Sequence, residues 1–244
     1  MKDQTLIISV NFDEHLSQRQ YIDEGDFGIV WRIPWGKQYA ILKTMKKKKI
    51  SAKAFRTELF IMERLNGAGG APRLLGVCYK PRAIVMSFRG ELTLSEAIRE
   101  DIPDWLIIYI VLKVGQCLRE LHARGVIHND IHARNVRVTL CQQKLPQVFL
   151  IDFGQSILRQ DALLTLSQKT RRKLETKLHP KKNLTYSRDV KALGLMLLNI
   201  VDIKNINIES IKEIIAITWS SMCEPAPLDD ILLKLNLVLA MISR

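Results

Sequence analysis

Two short segments near the middle of the chain carry side chains at spacings that suit phosphate chemistry. The first reads IHNDIHARNV from Ile127 to Val136 and contains Asp130 and, five residues later, Asn135. The second reads VFLIDFG and contains Asp152 directly after an apolar run. Carboxylate and carboxamide oxygens are hard ligands for magnesium, and a remaining carboxylate can orient a hydroxyl group and accept its proton. On loops at the end of a hairpin, these residues predict metal-assisted phosphoryl transfer.

A lysine and a glutamate upstream are candidates for a buried ion pair. Lys43 ends the strand-like run AILK, and Glu58 flanks the apolar face of a helical pattern that includes Phe55 and Met62. A desolvated carboxylate requires a partner, because an unpaired buried charge is costly. Lys43 could pair with it and still direct its ammonium at phosphate. A surface lysine and a boundary glutamate are the alternative interpretation.

The segment IDEGDFGIV, residues 22–30, supplies two glycines ahead of a β-rich run. Gly25 and Gly28 would let backbone amides approach phosphate oxygens closely. An ordinary β-hairpin explains this segment at least as well, so the motif alone does not distinguish a phosphate lid from a turn.

The elements that would position these residues divide the chain into a β-rich first part and a helical second part. β-rich runs begin at Thr5, Gly28, Lys37, Arg73 and Arg82. One helix interrupts them, with Ser51 as its predicted N-cap and Gly67 as its predicted stop. Beyond residue 92 the predicted helices are Pro103 to Gly125, Asp189 to Val201 and Ile211 to Trp219. The pattern predicts an α+β fold whose two parts meet near residues 88–90.

Composition bounds the partners and the location. The 244 residues carry a formal charge of +12 at pH 7, which favours an acidic partner for the basic surface. Two basic runs, Lys46 to Lys49 and Arg171 to Lys173, are more often solvated loops than nucleic-acid patches, so we do not expect nucleic-acid binding. The acidic N-terminal segment is unlike a secretory signal, and the four scattered cysteines favour reduced, mostly buried thiols. We therefore expect an intracellular protein, in the cytoplasm or the nucleus.

Two apolar runs, from Trp105 and from Ile231, could be mistaken for membrane spans. The first is shorter than a bilayer span and the second is interrupted by lysine. We expect both to be buried helices, and we expect no membrane span.

Taken in order, these motifs resemble those of the protein kinases. The glycine-bearing loop, the strand lysine, the helix glutamate, the HND segment with its asparagine and the DFG segment follow the family order over roughly residues 20–201. The resemblance implies a bilobal protein-kinase-like fold in one domain, residues 1–244. Its β-rich N-lobe with one helix would span about residues 1–88, and its shortened α-rich C-lobe about residues 91–244.

The resemblance also implies a role for each matching residue. Asp130 would be the catalytic base, Lys43 would hold the α- and β-phosphates, and Glu58 would secure Lys43. Asn135 and Asp152 would bind Mg²⁺, and Asp189 would brace the catalytic loop. Met86 would precede a hinge of residues 87–89, whose backbone would bind the adenine edge. The ATP-binding residues implied in this way are Ile22, Gly25, Phe27, Gly28, Val30, Lys43, Met86, Ser87, Phe88, Asn135 and Asp152.

Several residues depart from the family pattern. Asp23 replaces the first lid glycine, Ile41 stands where alanine is usual, and Asn129 replaces the arginine of HRD. The sequence also lacks APE after DFG, and the basic segment from Gln155 to Lys182 is predicted to be a helical or mobile element. Control by phosphorylation of that segment is therefore not expected.

These observations favour an ATP-dependent protein kinase that transfers the γ-phosphate to a serine, threonine or tyrosine hydroxyl of a protein substrate. Asp23 and the missing APE favour a nucleotide-binding pseudokinase or interaction module instead. The HND segment favours a small-molecule kinase of the aminoglycoside or choline kinase type.

Overall fold

The N-terminal part of the chain is a six-stranded sheet with one long helix. The computed structural model describes residues 8–9, 17–47, 49–140, 144–159, 185–218 and 227–243. The strands are β1 (Ile8–Ser9), β2 (Gln20–Glu24), β3 (Gly28–Trp35), β4 (Gln38–Met45), β5 (Leu74–Tyr79) and β6 (Arg82–Ser87). They lie in the order β1-β5-β6-β4-β3-β2, and all neighbours are antiparallel except β1 and β5.

The register of β4 decides which side chains face the site. Alternate residues of a strand point to opposite faces of a sheet. Ala40 and Leu42 pack with Ile33 in a small apolar cluster on one face, whereas Lys43 faces the cleft described below. A slip of one residue would exchange these two sets, so the apolar cluster fixes the direction of Lys43.

The helix α1 (Lys49–Leu65) packs beside this sheet. The prediction of Ser51 as its N-cap is wrong, because the helix already includes Lys49, and lysine is a better helix former than serine. The predicted stop is confirmed. Asn66 and Gly67 follow Leu65 with φ angles of 45° and 87°, a left-handed conformation that ends helices.

The C-terminal part is mainly helical. It contains β7 (Leu92–Thr93), α2 (Leu94–Ala97), α3 (Asp104–Ala123), β8 (Val126–Ile127), β9 (Val136–Thr139), β10 (Gln147–Leu150), β11 (Ile157–Leu158), α4 (Ser187–Lys204), α5 (Glu209–Thr218) and α6 (Leu228–Ile242). A three-stranded sheet has the order β10-β9-β7, and β11 pairs with β8. The predicted α+β, bilobal architecture is confirmed.

The two long apolar runs differ in burial. The helix α3, which starts directly after Pro103 as predicted, buries Ile107, Ile108, Val111 and other apolar residues in the main core. The helix α6 buries Ile231 and Leu235 but exposes Leu233, Leu237 and Met241 by more than half. The prediction of a buried helix is therefore wrong for that face of α6, because the helix is amphipathic. In the part of the chain that the structure describes, no helix has the length and apolar character needed to cross a bilayer.

A short turn after α1 holds the two parts of the chain together. Residues Ala68–Gly70 form one turn of 3₁₀ helix that lies against α3 and β10. The Gly69 amide donates to Glu120 Oε2 at 2.7 Å. A β-carbon at Gly69 would collide with Leu121 and would lie 2.7 Å from the Cys117 carbonyl oxygen, so only glycine fits this contact.

Two further predictions fall wholly or partly outside the described residues. Residues 160–184, most of the basic segment predicted to be helical or mobile, are among the undescribed ones. So are Cys141 and Cys223, whereas Cys78 and Cys117 are free thiols and half-buried, less buried than predicted. Both lie on the margins of apolar clusters rather than inside them.

Candidate active site

One cleft, with a volume of about 730 Å³, is lined by residues of the sheet, the helix α1 and the loops that precede β9 and follow β10. Every residue predicted to bind nucleotide or to act in catalysis lines it. They are Ile22, Gly25, Phe27, Gly28, Val30, Lys43, Glu58, Met86, Ser87, Phe88, Asp130, Asn135 and Asp152. The cleft therefore brings together residues that lie up to 130 positions apart in the sequence.

Lys43 forms ion pairs with two carboxylates. Its Nζ lies 3.0 Å and 2.8 Å from the two oxygens of Glu58 and 2.9 Å from Asp152 Oδ1. Lys43 and Glu58 are buried, whereas the Asp152 side chain is about one-third exposed. The expected Lys43–Glu58 pair is thus present. Asp152 is a third member of this cluster, which the sequence did not lead us to expect as a partner of Lys43.

The three charges shift one another's pKa values. Burial would lower the pKa of Lys43, but the charges of Glu58 and Asp152 outweigh it and raise the pKa. Burial raises the pKa of Glu58 to about 7, and the negative charge of Asp152 adds to this shift while Lys43 opposes it. Burial also opposes ionisation of Asp152, yet Lys43 and the Gly154 amide hold the pKa of Asp152 below its usual value. Asp152 therefore keeps its negative charge in the cleft.

Asp130 also lines the cleft, and its two oxygens have different surroundings. Oδ2 accepts hydrogen bonds from Asn135 Nδ2 at 3.1 Å and from Gln155 Nε2 at 3.3 Å. Oδ1 lies 3.8 Å from His132 Nε2. The His132 side chain contributes most to holding the pKa of Asp130 below its usual value, against the effect of burial. Asp130 is thus an ionised carboxylate with one oxygen fixed by amides.

The turn before Asp130 is held from below by a buried carboxylate on α4. Asp189 has no exposed surface, and it accepts hydrogen bonds from the backbone amides of His128 and Asn129, each at 2.8 Å. His122 on α3 completes the set through Nε2 at 2.9 Å. Asn129 adopts a φ of 66°, a left-handed conformation that asparagine tolerates better than most residues. This geometry matches the bracing role implied for Asp189.

The β2–β3 loop covers the cleft from the side of the sheet. Gly28 is required there for a reason the sequence did not suggest, because a β-carbon would collide with the Thr44 carbonyl oxygen of the paired strand. At Gly25, by contrast, a β-carbon would meet nothing within 4 Å. Glu24 pairs with Lys46 at 2.7 Å, and Asp23 and Asp26 also line the cleft. The loop therefore presents an acidic edge.

One part of the cleft is apolar and reaches the end of β6, which is the last strand of the N-terminal sheet in chain order. Met86 is buried, and Val30 and Ile41 line the same wall. The Ser87 amide donates to the Arg73 carbonyl oxygen at 2.9 Å, so this hinge amide is already engaged. Phe88 and Arg89 follow Ser87 and also line the cleft.

The structure adds cleft residues that the motifs did not single out as site residues. Pro72, Thr93 and Arg137 come from separate elements, and no sequence signal connects them. Gln155 did carry a signal, since it directly follows the DFG segment. His132 and Arg134, between Asp130 and Asn135, also line the cleft.

Comparison with known proteins identifies the family of the chain. The chain belongs to the protein kinases, in the family described as protein tyrosine and serine/threonine kinase, which matches residues 16–217. The predicted family membership is confirmed.

Individual relatives include both serine/threonine and tyrosine kinases. Probable serine/threonine-protein kinase gdt2 of Dictyostelium discoideum is 28% identical over 158 residues, which cover 60% of this chain and 9% of that protein. Tyrosine protein-kinase src-1 of Caenorhabditis elegans is 28% identical over 146 residues, 57% of this chain and 27% of that protein. Tyrosine-protein kinase Abl of Drosophila melanogaster is 31% identical over 150 residues, 58% of this chain and 9% of that protein. The alignments thus span only 9% to 27% of these relatives' own lengths.

Proposed function

We propose that the chain is an active, magnesium-dependent protein kinase that transfers the γ-phosphate of ATP to a hydroxyl group of a protein substrate. The observation that carries this proposal is the position of Lys43, within 3.0 Å of both Glu58 and Asp152, in a cleft shared with Asp130 and Asn135. In this proposal the chain is one domain, with an N-lobe of about residues 1–88 and a C-lobe of about residues 91–244.

The cleft has the size and chemistry that a nucleotide requires. Ligand pockets usually measure about 300–1,000 Å³ and combine apolar walls with a few placed polar groups. Val30, Ile41 and Met86 supply an apolar wall for the adenine. Because the Ser87 amide already donates to Arg73, the backbone of Phe88 and Arg89 would make the polar contacts with the adenine edge. Lys43 holds the α- and β-phosphates. Ile22, Gly25, Phe27 and Gly28 lie in the loop that covers them.

The residues around Asp152 also fit a magnesium ion. Asp152 carries a carboxylate kept ionised by Lys43, and the Asn135 amide nitrogen donates to both the backbone and the side chain of Asp130. Because the nitrogen of Asn135 is engaged, the carboxamide oxygen is the atom left for a cation. Asn135 and Asp152 therefore supply hard oxygen ligands, and magnesium bound there would neutralise phosphate charge.

Asp130 acts as the base toward the acceptor hydroxyl. Its Oδ2 already accepts two amide hydrogen bonds, so Oδ1, which lies 3.8 Å from His132 Nε2, is the oxygen that we propose receives the proton. The low pKa keeps the carboxylate ionised at neutral pH. A base of this kind orients the hydroxyl and takes its proton as the phosphoryl group is transferred.

The decisive experiment measures phosphoryl transfer directly. Purified protein is incubated with γ-labelled ATP and magnesium, alone and with peptide mixtures that contain serine, threonine or tyrosine as the only acceptor. Label should appear on one peptide class. Lys43→Met should abolish transfer, whereas Lys37→Met, at an exposed lysine in the β3–β4 turn, should leave it unchanged.

The acidic loop favours one alternative. Asp23, Glu24 and Asp26 place carboxylates beside the position proposed for the phosphates, and their repulsion would weaken nucleotide affinity. A wild type that binds ATP and labels no acceptor would be an interaction module. Label on small alcohols or amines, with none on peptides, would make the chain a small-molecule kinase.

A further inference from the structure

The carboxylate proposed as catalytic base is contacted by a residue outside the family motifs. Gln155, the residue after Gly154, donates from Nε2 to Asp130 Oδ2 at 3.3 Å. Asn135 donates to the same oxygen at 3.1 Å. Two donors on one oxygen oppose rotation of the carboxylate group. Because both donors are neutral amides, they fix its orientation without forming an ion pair with it.

A second hydrogen bond holds Gln155 in place. Asn129 Nδ2 donates to the backbone oxygen of Gln155 at 3.0 Å. Gln155 is exposed, and an isolated hydrogen bond from an exposed side chain competes with water. Because the backbone of Gln155 is already fixed, less conformational entropy is lost when its side chain binds Asp130. The hydrogen bond from Asn129 to Gln155 and the hydrogen bond from Gln155 to Asp130 run in opposite directions between the two loops. We call this pair of hydrogen bonds the Asn129–Gln155 clasp.

The clasp belongs to a continuous set of contacts between the two loops. Ser156 Oγ donates to the His128 carbonyl oxygen at 3.1 Å. Beyond it, Ile157 pairs with Ile127 and Leu158 with Val126. Asp189 fixes the other side of the same turn through the amides of His128 and Asn129. The base therefore lies between a rigid support and the loop that carries Asp152.

We propose that Gln155 is a positioning residue for Asp130, and that the Asn129–Gln155 clasp orders the site without an added phosphate group. The inference rests on the proposed function. The donors of the clasp are neutral side-chain amides, and its acceptors are the Gln155 backbone carbonyl and the Asp130 carboxylate, so it forms entirely from groups of the unmodified chain. Asn129 suits this use because it accepts the left-handed φ of 66° and supplies the donor.

Steady-state kinetics of phosphoryl transfer test the positioning role. The variants are Gln155→Ala and, as a matched control, Gln147→Ala, an exposed glutamine on β10 that does not line the cleft. Gln155→Ala should lower kcat about ten- to hundredfold through misplacement of the base, with the KM for ATP unchanged. Gln147→Ala should change neither. An unchanged kcat in Gln155→Ala, or an equal effect on the KM for ATP, would overturn the proposal.

The link to Asn129 is tested by a double-mutant cycle. Asn129→Gly keeps the left-handed backbone and removes the donor, so it should lower kcat in the same manner. Because both residues act through one clasp, the double variant should be no slower than the slower single variant. Multiplicative effects would show that the two residues act independently. Treatment of the wild type with a protein phosphatase should leave kcat unchanged, and a tenfold loss would refute independence from phosphorylation.

A measurement that needs no transfer separates this inference from the proposed function. The side-chain amide signals of Gln155 and Gln147 are assigned by nuclear magnetic resonance from the two alanine variants. Asp130→Ala should shift the Gln155 amide signal and speed its exchange with water, and should leave the Gln147 signal unchanged. A Gln155 amide that exchanges like that of Gln147 in the wild type would disprove the clasp, whether or not the protein transfers phosphate.

Discussion

The ammonium group of Lys43 lies 2.9 Å from Oδ1 of Asp152, so an ion pair joins a strand of the N-terminal sheet to a loop of the helical part across the cleft. The same ammonium lies 2.8 Å from Glu58. One lysine thus aligns the sheet, the helix α1 and the loop that carries the proposed metal ligand.

Asp130→Asn should separate binding from transfer. Asparagine keeps the size of the side chain but cannot accept a proton, so transfer should fall by about 10²- to 10⁴-fold. The dissociation constant for ATP, measured by titration calorimetry, should stay close to that of the wild type. A variant with wild-type turnover would show that another group is the base.

Asp152→Asn should impair binding and transfer together. This change removes the carboxylate that Lys43 keeps ionised, and with it the charge available to a magnesium ion. The magnesium-dependent part of ATP affinity should drop at least about tenfold, in parallel with kcat/KM. Titration of ATP with and without magnesium gives the comparison. Equal magnesium dependence in the variant and the wild type would contradict the assigned role.

Glu58 should make stability depend on pH. Its pKa rises from the ordinary value of 4.5 to about 7 in the folded chain, so the folded state holds a proton that the unfolded state has lost between these values. Its contribution to stability is therefore complete below about pH 4.5 and is lost as the pH rises through about 7. The free energy of unfolding by urea, measured at about pH 5 and about pH 8, should fall more in the wild type than in Glu58→Gln. An equal fall in both proteins would refute the shift.

Gly69→Ala should destabilise the junction between the two parts of the chain. Gly69 has a φ of 61°, and an added methyl group would collide with Leu121 and the Cys117 carbonyl oxygen. Gly36→Ala is the matched control, because Gly36 has a φ of 59° and open space around it. Backbone strain should cost about 1–2 kcal/mol in each variant, and the collision about 1–3 kcal/mol more in Gly69→Ala. Equal free energies of unfolding for Gly69→Ala and Gly36→Ala would show that the junction accommodates the methyl group without loss of stability.

The contacts that follow from local pattern were predictable, and those that join distant turns were not. The helical phase of Glu58 and the strand position of Lys43 allowed their pairing, the resemblance to the protein kinases favoured it over a surface lysine, and the structure contains the pair. The contact from Gln155 to Asp130 depends on how two loops cross, which no periodicity encodes. The exposed face of α6 was missed because a run of apolar residues does not show whether the protein buries one face of the helix or all of them.

The buried position of Asp189 affects how the turn before Asp130 can open. One carboxylate without exposed surface binds the turn before Asp130 and a histidine of α3 while belonging to α4. Opening any of these three elements alone would leave the buried carboxylate without some of its hydrogen-bond partners, so we expect the three to open as one cooperative unit. The amides of His128 and Asn129 can then exchange their hydrogens with solvent only when that unit opens. We therefore expect slow hydrogen exchange at the turn that presents the base.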